Sequence, residues 1–261
     1  MTDVILPILK SFCPIRLNEM DNVRLMNRID TKYLISASKI PELLKKMDGN
    51  YRVLEIKGER ISSYNNIYLD TRDFDFFSQH IRGIPGRCKV RYRTYLNTGN
   101  TFLEIKKKTS GNRTVKWRIE NRLTAENNCD REAMAFLDLY LQREELSLQP
   151  VVSNKFRRIT FVSRELNERM TLDFDLSFRC NGSGLFDLPG IAILELKKKS
   201  ISARSNAAGI LKNLPVRPTG FSKYCIGVSA LCNVDKKNIL KSKFMLINKI
   251  RNENDSHLST Q

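Results

Sequence analysis

Through the middle of this chain, apolar and polar residues alternate one by one. Period two marks a strand that buries one face. It predicts strands over 28–36, 51–57, 61–70, 87–96, 101–108, 114–121, 151–163, 168–178 and 191–199. Helical spacing appears between and after them. Ser38 is placed to cap a helix to Met47, ended by Gly49. Asp73–Ile81, 130–142, Ser205–Asn213 and Ser222–Cys232 read as further helices. Asn97-Thr98-Gly99-Asn100 and Ser110-Gly111-Asn112 are turn material, and Gly182-Ser183-Gly184 and Pro189-Gly190 bracket an irregular stretch. Residues 1–27 read as a helical lead-in, 28–233 as one α+β domain, and 234–261 as a basic polar tail that frays.

The polar faces carry an unusual load. Arg28, Asp30 and Lys32 share a face of the first strand. Lys89, Arg91 and Arg93 align opposite Val90 and Tyr92; Glu104, Lys106 and Lys108 align opposite Leu103 and Ile105. Lys116, Arg118 and Glu120 oppose Val115, Trp117 and Ile119. Arg169, Thr171, Asp173 and Asp175 oppose Met170, Leu172, Phe174 and Leu176. Glu195, Lys197 and Lys199 oppose Leu194 and Leu196. A sheet with one face in water would show alternation too, but directly opposed like charges destabilise a sheet. Closing the strands into a barrel, charged face inward around a polyanion and apolar face under helices, removes the conflict.

Composition sharpens the choice of partner. Lys+Arg 45 against Asp+Glu 28 gives a formal charge of +17 in 261 residues, which calls for an anionic partner. Nucleic acid is not the expected one, because Tyr92, Trp117 and Phe174 fall on the face opposite the charge instead of interleaving with it for stacking. The six cysteines contain no Cys-x-x-Cys, and His80 and His257 stand far apart, so no zinc site is expected and the thiols read as buried and reduced. The N-terminus lacks a signal peptide's basic segment, and no apolar run approaches the roughly 20 residues of a membrane-spanning helix. The expected location is the cytoplasm.

Several segments carry a resemblance. They are Asp30-Thr31-Lys32-Tyr33-Leu34-Ile35; Tyr68-Leu69-Asp70-Thr71 before an aromatic helix; Lys89-Val-Arg-Tyr-Arg-Thr-Tyr95; Leu103-Glu-Ile-Lys106 leading to Val115-Lys116; Phe156-Arg-Arg-Ile-Thr-Phe161; Arg169-Met-Thr-Leu-Asp173; Leu194-Glu-Leu-Lys197; and Phe221-Ser-Lys-Tyr224. In this order and spacing they resemble the catalytic domain of the vacuolar transporter chaperone (VTC) family, in the CYTH-like triphosphate tunnel group. The resemblance implies an eight-stranded antiparallel β-barrel tunnel with a basic lumen and peripheral helices. It implies a polyphosphate polymerase using ATP and a divalent metal, Mn2+ or Mg2+.

By the same resemblance Lys32, Arg91, Arg93 and Lys223 are catalytic. Lys89, Lys106, Lys116, Arg158, Arg169, Lys197 and His80 bind substrate, and Glu195 holds the metal. Two positions depart from the pattern: His80 stands where an arginine is expected, and Gly220 where a lysine is. Arg157 competes with Arg158 for the inward position. A triphosphatase and a non-catalytic polyphosphate-binding module stay open as alternatives. The first strand, Arg28-x-Asp30-x-Lys32, departs from the Glu-x-Glu-x-Lys usual in triphosphatases.

Overall fold

The structure, a computed structural model, describes residues 2–20, 29–109, 113–123, 129–142, 146–180, 183–198, 205–212, 214 and 216–258. Its elements are α1 (Thr2–Ser11), β1 (Pro14–Ile15), β2 (Ile29–Ser36), α2 (Ile40–Met47), β3 (Tyr51–Leu54), β4 (Ser62–Asp70), α3 (Asp75–Ile81), β5 (Cys88–Tyr95) and β6 (Thr101–Lys108). There follow β7 (Thr114–Glu120), α4 (Arg131–Leu141), β8 (Gln149–Ser163), β9 (Glu168–Cys180), β10 (Ser183–Leu188), β11 (Ile191–Lys198), α5 (Asn206–Lys212), α6 (Lys223–Leu231) and α7 (Lys241–Leu258). Of the residues discussed above, Arg28, Lys199, Gly182 and the turn Ser110-Gly111-Asn112 lie outside the described residues.

All described strands join one sheet, in the order β2-β11-β9-β8-β4-β5-β6-β7, with β10 on β9 and the β1–β3 pair on β8. Every ladder is antiparallel except β1–β3. The eight-strand path matches the expected number, but the barrel does not close: β2 and β7 are not paired. The reason is local. The outer edge of β2 is already occupied, since Thr219 N–H donates to the Lys32 carbonyl at 2.7 Å and Tyr33 bridges Pro218. β7 is the most exposed strand of the path.

The sheet nevertheless curls. Bulges interrupt the β4–β8 and β8–β9 ladders, and bulges increase local twist. Lys32 on β2 lies close enough to Lys89 on β5 to repel it, although five strand spacings of a flat sheet would separate them by about 24 Å.

Helices cover the apolar face. In α2, Ile40, Leu43, Leu44 and Met47 repeat with helical spacing and are buried with Ile5 and Leu9 of α1 against Phe161, Leu172 and Leu194. Complete burial of such side chains contributes about 1.5–3 kcal/mol each. Ser36, not Ser38, makes the cap: its Oγ accepts from Ser38 N–H in the short turn before α2. α4 starts at Asp130, whose Oδ1 accepts from Ala133 N–H at 2.8 Å. It lays Ala133, Phe136, Leu137 and Leu141 over Val90, Tyr92, Leu103 and Ile105. Trp117 stacks on Tyr140 of that helix at 4.8 Å, and Phe174 joins the α1–α2 cluster, so both sit on the apolar face as expected.

Four expectations fail. The stretch after Cys180 is a strand, β10, because Phe186 and Leu188 continue the apolar alternation into the cluster under α7. The tail does not fray at once: Phe244, Ile247 and Ile250, three residues apart, dock α7 on Leu34 and Ile193. Asp175 does not share a face with Asp173. It takes a positive φ of 52° in the β8–β9 bulge, turns outward to Arg157 at 3.6 Å, and moves Leu176 into the cluster under α6 and α7. Not all thiols are buried: Cys13, in the turn after α1, is exposed, while Cys88, Cys225 and Cys232 are buried and Cys129 and Cys180 are intermediate.

Candidate functional site

Strand register turns the cations into transverse rows on one face. Lys89, Lys106 and Lys116 are direct cross-strand partners on β5, β6 and β7. One step along, Tyr68, Arg91, Glu104 and Arg118 form the next row. On the other wall Lys32, Glu195, Thr171 and Thr160 are in register, beside Asp30, Lys197 and Arg169. Further along the same face the positions become apolar. Leu34 follows Lys32, Ile193 precedes Glu195, Phe156 precedes Arg158, and α6 and α7 seal that end.

Four carboxylates hold the cations in place. Glu104, fully buried, accepts from Arg91 Nε at 2.9 Å and Nη2 at 2.6 Å, bonds Lys116, and lies 3.9 Å from Arg93. Asp173 accepts a fork from Arg158, Nε to Oδ1 at 2.5 Å and Nη2 to Oδ2 at 2.7 Å, and also bonds Lys223. Asp30 accepts from Lys197 at 2.7 Å. Glu195 Oε1 lies 3.1 Å from Lys197 and 3.5 Å from Lys32. Arg158 is thus the inward residue, while Arg157 bonds Thr2 of α1 on the other side. Lys89 Nζ donates to Ser222 Oγ at 3.0 Å. Ser222 in turn caps α6, accepting from Cys225 N–H at 3.2 Å, so the cap faces the charged surface.

The charge on the face is unbalanced, and protonation reflects it. Burial pushes the Lys89 ammonium down to about 8, aided by Lys32 and Arg91. Burial likewise pushes Lys223 down to about 8, despite Asp173. Arg91 and then burial hold Lys106 well below the usual lysine range. The carboxyls respond in the opposite sense. Burial alone would raise Glu195, but Lys197, Lys32 and Arg158 outweigh it and hold the group well below the usual range. Burial is outweighed in the same way at Glu104 by Arg91, Arg93 and Lys116. Like charges in register cost stability in a sheet.

Ten of the twelve sequence-predicted residues lie on the strands of this face: Lys32, Lys89, Arg91, Arg93, Lys106, Lys116, Arg158, Arg169, Lys197 and Glu195. Lys223 reaches the face from α6. His80 stands apart on α3, bonded to the Cys88 carbonyl at 3.0 Å and edge-on to Tyr224. Burial and Lys89 push its imidazole down to about 3, so it carries no charge at neutral pH.

Sequence reasoning missed four features. Thr171 Oγ1 is buried without a hydrogen-bond partner, directly opposite Glu195. Tyr64 and Phe156, stacked at 5.0 Å, share the charged face, with Arg93 and Arg158 at 5.3 and 5.5 Å from the Tyr64 ring. Phe102 lies under Arg118 at 4.8 Å, which its parity with Glu104 already signalled. Buried Asp70 caps α3 through Phe76 and Phe77 N–H and accepts from Tyr224 Oη, tying α3 to the residue after Lys223.

The chain is similar to known proteins in two respects. Among solved structures, a candidate adenylate cyclase from Bacillus halodurans shares 15% identity with a TM-score of 0.51, covering 75% of this chain and 94% of that one. A candidate adenylyl cyclase from Hippeastrum, described as revealing a dominant triphosphatase activity, shares 16% with a TM-score of 0.48, covering 78% and 96%. At such identity the Bacillus likeness speaks for the fold. No curated protein matches the chain. The sequence profile described as the VTC domain matches residues 27–232. That match spans most of the chain, from the strand carrying Lys32 to the helix carrying Lys223, and the protein belongs to the VTC domain family.

Proposed function

We propose that this protein is a polyphosphate polymerase that transfers the terminal phosphate of ATP to a growing polyphosphate chain lying between the cationic rows. The observation that carries the reading is the register of Lys89, Lys106 and Lys116, facing Lys32 across the curled sheet. Three adjacent ammonium groups suit a repeating anion better than a single one. Arginine adds paired donors and lysine a point charge. Arg91 and Arg158 are already oriented by Glu104 and Asp173, so little reorganisation accompanies binding.

In the reaction a terminal oxygen of the chain attacks the γ-phosphorus of ATP, the bond to the β-phosphate oxygen breaks, and ADP leaves while the chain grows by one phosphate. Phosphoryl transfer of this kind depends on positioning and charge stabilisation more than on covalent chemistry. Lys32, Arg91, Arg93 and Lys223 face the developing charge. Lys89, Lys106, Lys116, Arg169 and Lys197 hold the chain. Neutral His80, bonded to the Cys88 carbonyl, is not assigned a phosphate.

The donor set fits a divalent cation of a particular kind. No group of three His, Cys, Asp or Glu that could cage an ion occurs among the described residues. Asp30, Asp173 and Glu104 each hold a cation at 2.7 Å or less. Glu195, whose contacts to Lys197 at 3.1 Å and Lys32 at 3.5 Å are longer, is the carboxylate suited to Mg2+ or Mn2+. Such ions bind through one or two carboxylates plus substrate phosphates and water. Bound there, the ion would neutralise phosphate oxygens. The deciding assay is incubation of purified protein with ATP and Mn2+, with sizing of the product. Long polymer and ADP support the proposal. Orthophosphate without chain growth assigns a triphosphatase, and tight polyphosphate binding without turnover assigns a binding module. No helix among the described residues is long and apolar enough to cross a membrane.

A further inference from the structure

Cys180 ends β9, and Cys232 is the C-terminal cap of α6. Their Sγ atoms are 3.6 Å apart, although 52 positions separate them in sequence. Cys232 is buried, and Cys180, at the end of β9 where β10 pairs with it, is partly exposed. Burial, then Cys180 beside it, pushes the Cys232 thiol up to about 12. The accessible member is therefore the one a solution oxidant meets first.

We propose that Cys180 and Cys232 are a redox modification site: a reversible disulfide, formed under peroxide, that clamps the C-terminal end of α6 to β9. The chemistry closes in two steps. Peroxide transfers one oxygen to the Cys180 sulfur, giving a sulfenic acid and water. The Cys232 sulfur then attacks that sulfur, and the sulfenic oxygen leaves as a second water, taking the Cys232 proton. Two thiols are oxidised and one peroxide is reduced. Sulfur atoms already in contact need only close to the bond length of about 2.0 Å.

The clamp has a lever to act on. A Cβ added at Gly227, in the middle of α6, would meet the Phe178 ring at 2.8 Å and Val152 at 3.0 Å. The helix is thus seated directly on β8 and β9. Its other end presents Ser222 to Lys89 and Lys223 to Asp173. A bond at Cys232 therefore restrains the two residues that α6 contributes to the charged face. This consequence rests on the phosphate-binding reading; the disulfide itself does not.

The test uses the full chain carrying Cys13→Ser, which removes the exposed thiol and its intermolecular disulfides. After peroxide treatment, free thiols are alkylated and the protein is digested without reductant for mass spectrometry. The expected product joins the peptide containing Cys180 to that containing Cys232, lighter by two hydrogens, and dithiothreitol abolishes it. In Cys232→Ser, Cys180 is expected to accumulate as a sulfenic acid trapped by dimedone. The oxidised protein should melt about 5 °C higher than the reduced one. Alkylation of both cysteines after a peroxide dose that oxidises Cys13 in the unmodified chain overturns the site, and an unchanged melting point despite the cross-link overturns the clamp. A chain that forms the cross-link yet binds no tripolyphosphate supports the modification site and contradicts the phosphate reading.

Discussion

Replacing Lys89 by methionine should stabilise the protein while impairing its function. The Lys89 ammonium is pushed from the usual 10.5 to about 8, first by burial and then by Lys32 and Arg91. At about 1.4 kcal/mol per unit, that is roughly 3 kcal/mol of unfavourable free energy in the empty protein. Lys89 is only partly buried, so solvent screening trims the figure. Its hydrogen bond to Ser222 Oγ offsets about 1 kcal/mol more. A net gain of about 2 kcal/mol remains for Lys89→Met, a rise of about 5 °C in melting temperature for a chain this long. The pH dependence has a definite sign. The folded-state value lies below the unfolded one, so the penalty is complete below about pH 8 and disappears as pH rises toward 10.5. The variant's advantage should therefore be full at pH 7 and shrink by pH 10. Thermal melts by circular dichroism, in buffer free of phosphate and divalent ions, measure it. Saturating tripolyphosphate should raise wild type more than the variant. If Lys89→Met melts at or below wild type at pH 7 without ligand, the ammonium is not under electrostatic strain and the reasoning fails.

Other perturbations separate support from binding. Glu104→Gln leaves Arg91 and Lys116 without their buried carboxylate and should cost about 3–5 kcal/mol in denaturant melts, with tripolyphosphate recovering part of the loss; an unchanged midpoint would contradict the pairing. Arg158→Ala should weaken tripolyphosphate binding by calorimetry at least tenfold, while Arg157→Ala, facing α1, should leave it within about twofold; equal losses would mean the β8 register is wrong. Asp70→Asn removes the charge that accepts from Tyr224 and the first turn of α3, and should lower stability by about 1–2 kcal/mol. Read by the rate of ATP turnover, it should slow phosphoryl transfer more than it weakens polyphosphate binding, because Lys223 is the group displaced.

Much of this was legible in the sequence because the signal is periodic. Lys89, Arg91 and Arg93 on β5, and Glu195 and Lys197 on β11, share faces by parity alone. What failed was whatever depends on an interruption of parity or on the partner of an edge. The bulge at Asp175 inserts one residue and turns that carboxylate outward, which no alternation rule foretells. Closure failed because the edge of β2 is taken by Thr219 and Pro218, a segment with no strand pattern of its own. The choice between Arg157 and Arg158 needed the same bulge. α7 was hidden because its buried residues, Phe244, Ile247 and Ile250, are spread through a lysine- and asparagine-rich stretch. His80 shows the limit of a positional match: it occupies the expected helix, but its ring is spent on the Cys88 carbonyl.

The most direct test is a crystal structure of the protein grown with tripolyphosphate. The phosphorus atoms should lie in a line between the walls, with oxygens in hydrogen-bond reach of Lys32, Arg91, Lys106 and Lys197. Tripolyphosphate bound on the outer helices, with those four side chains contacting none of it, would contradict the account.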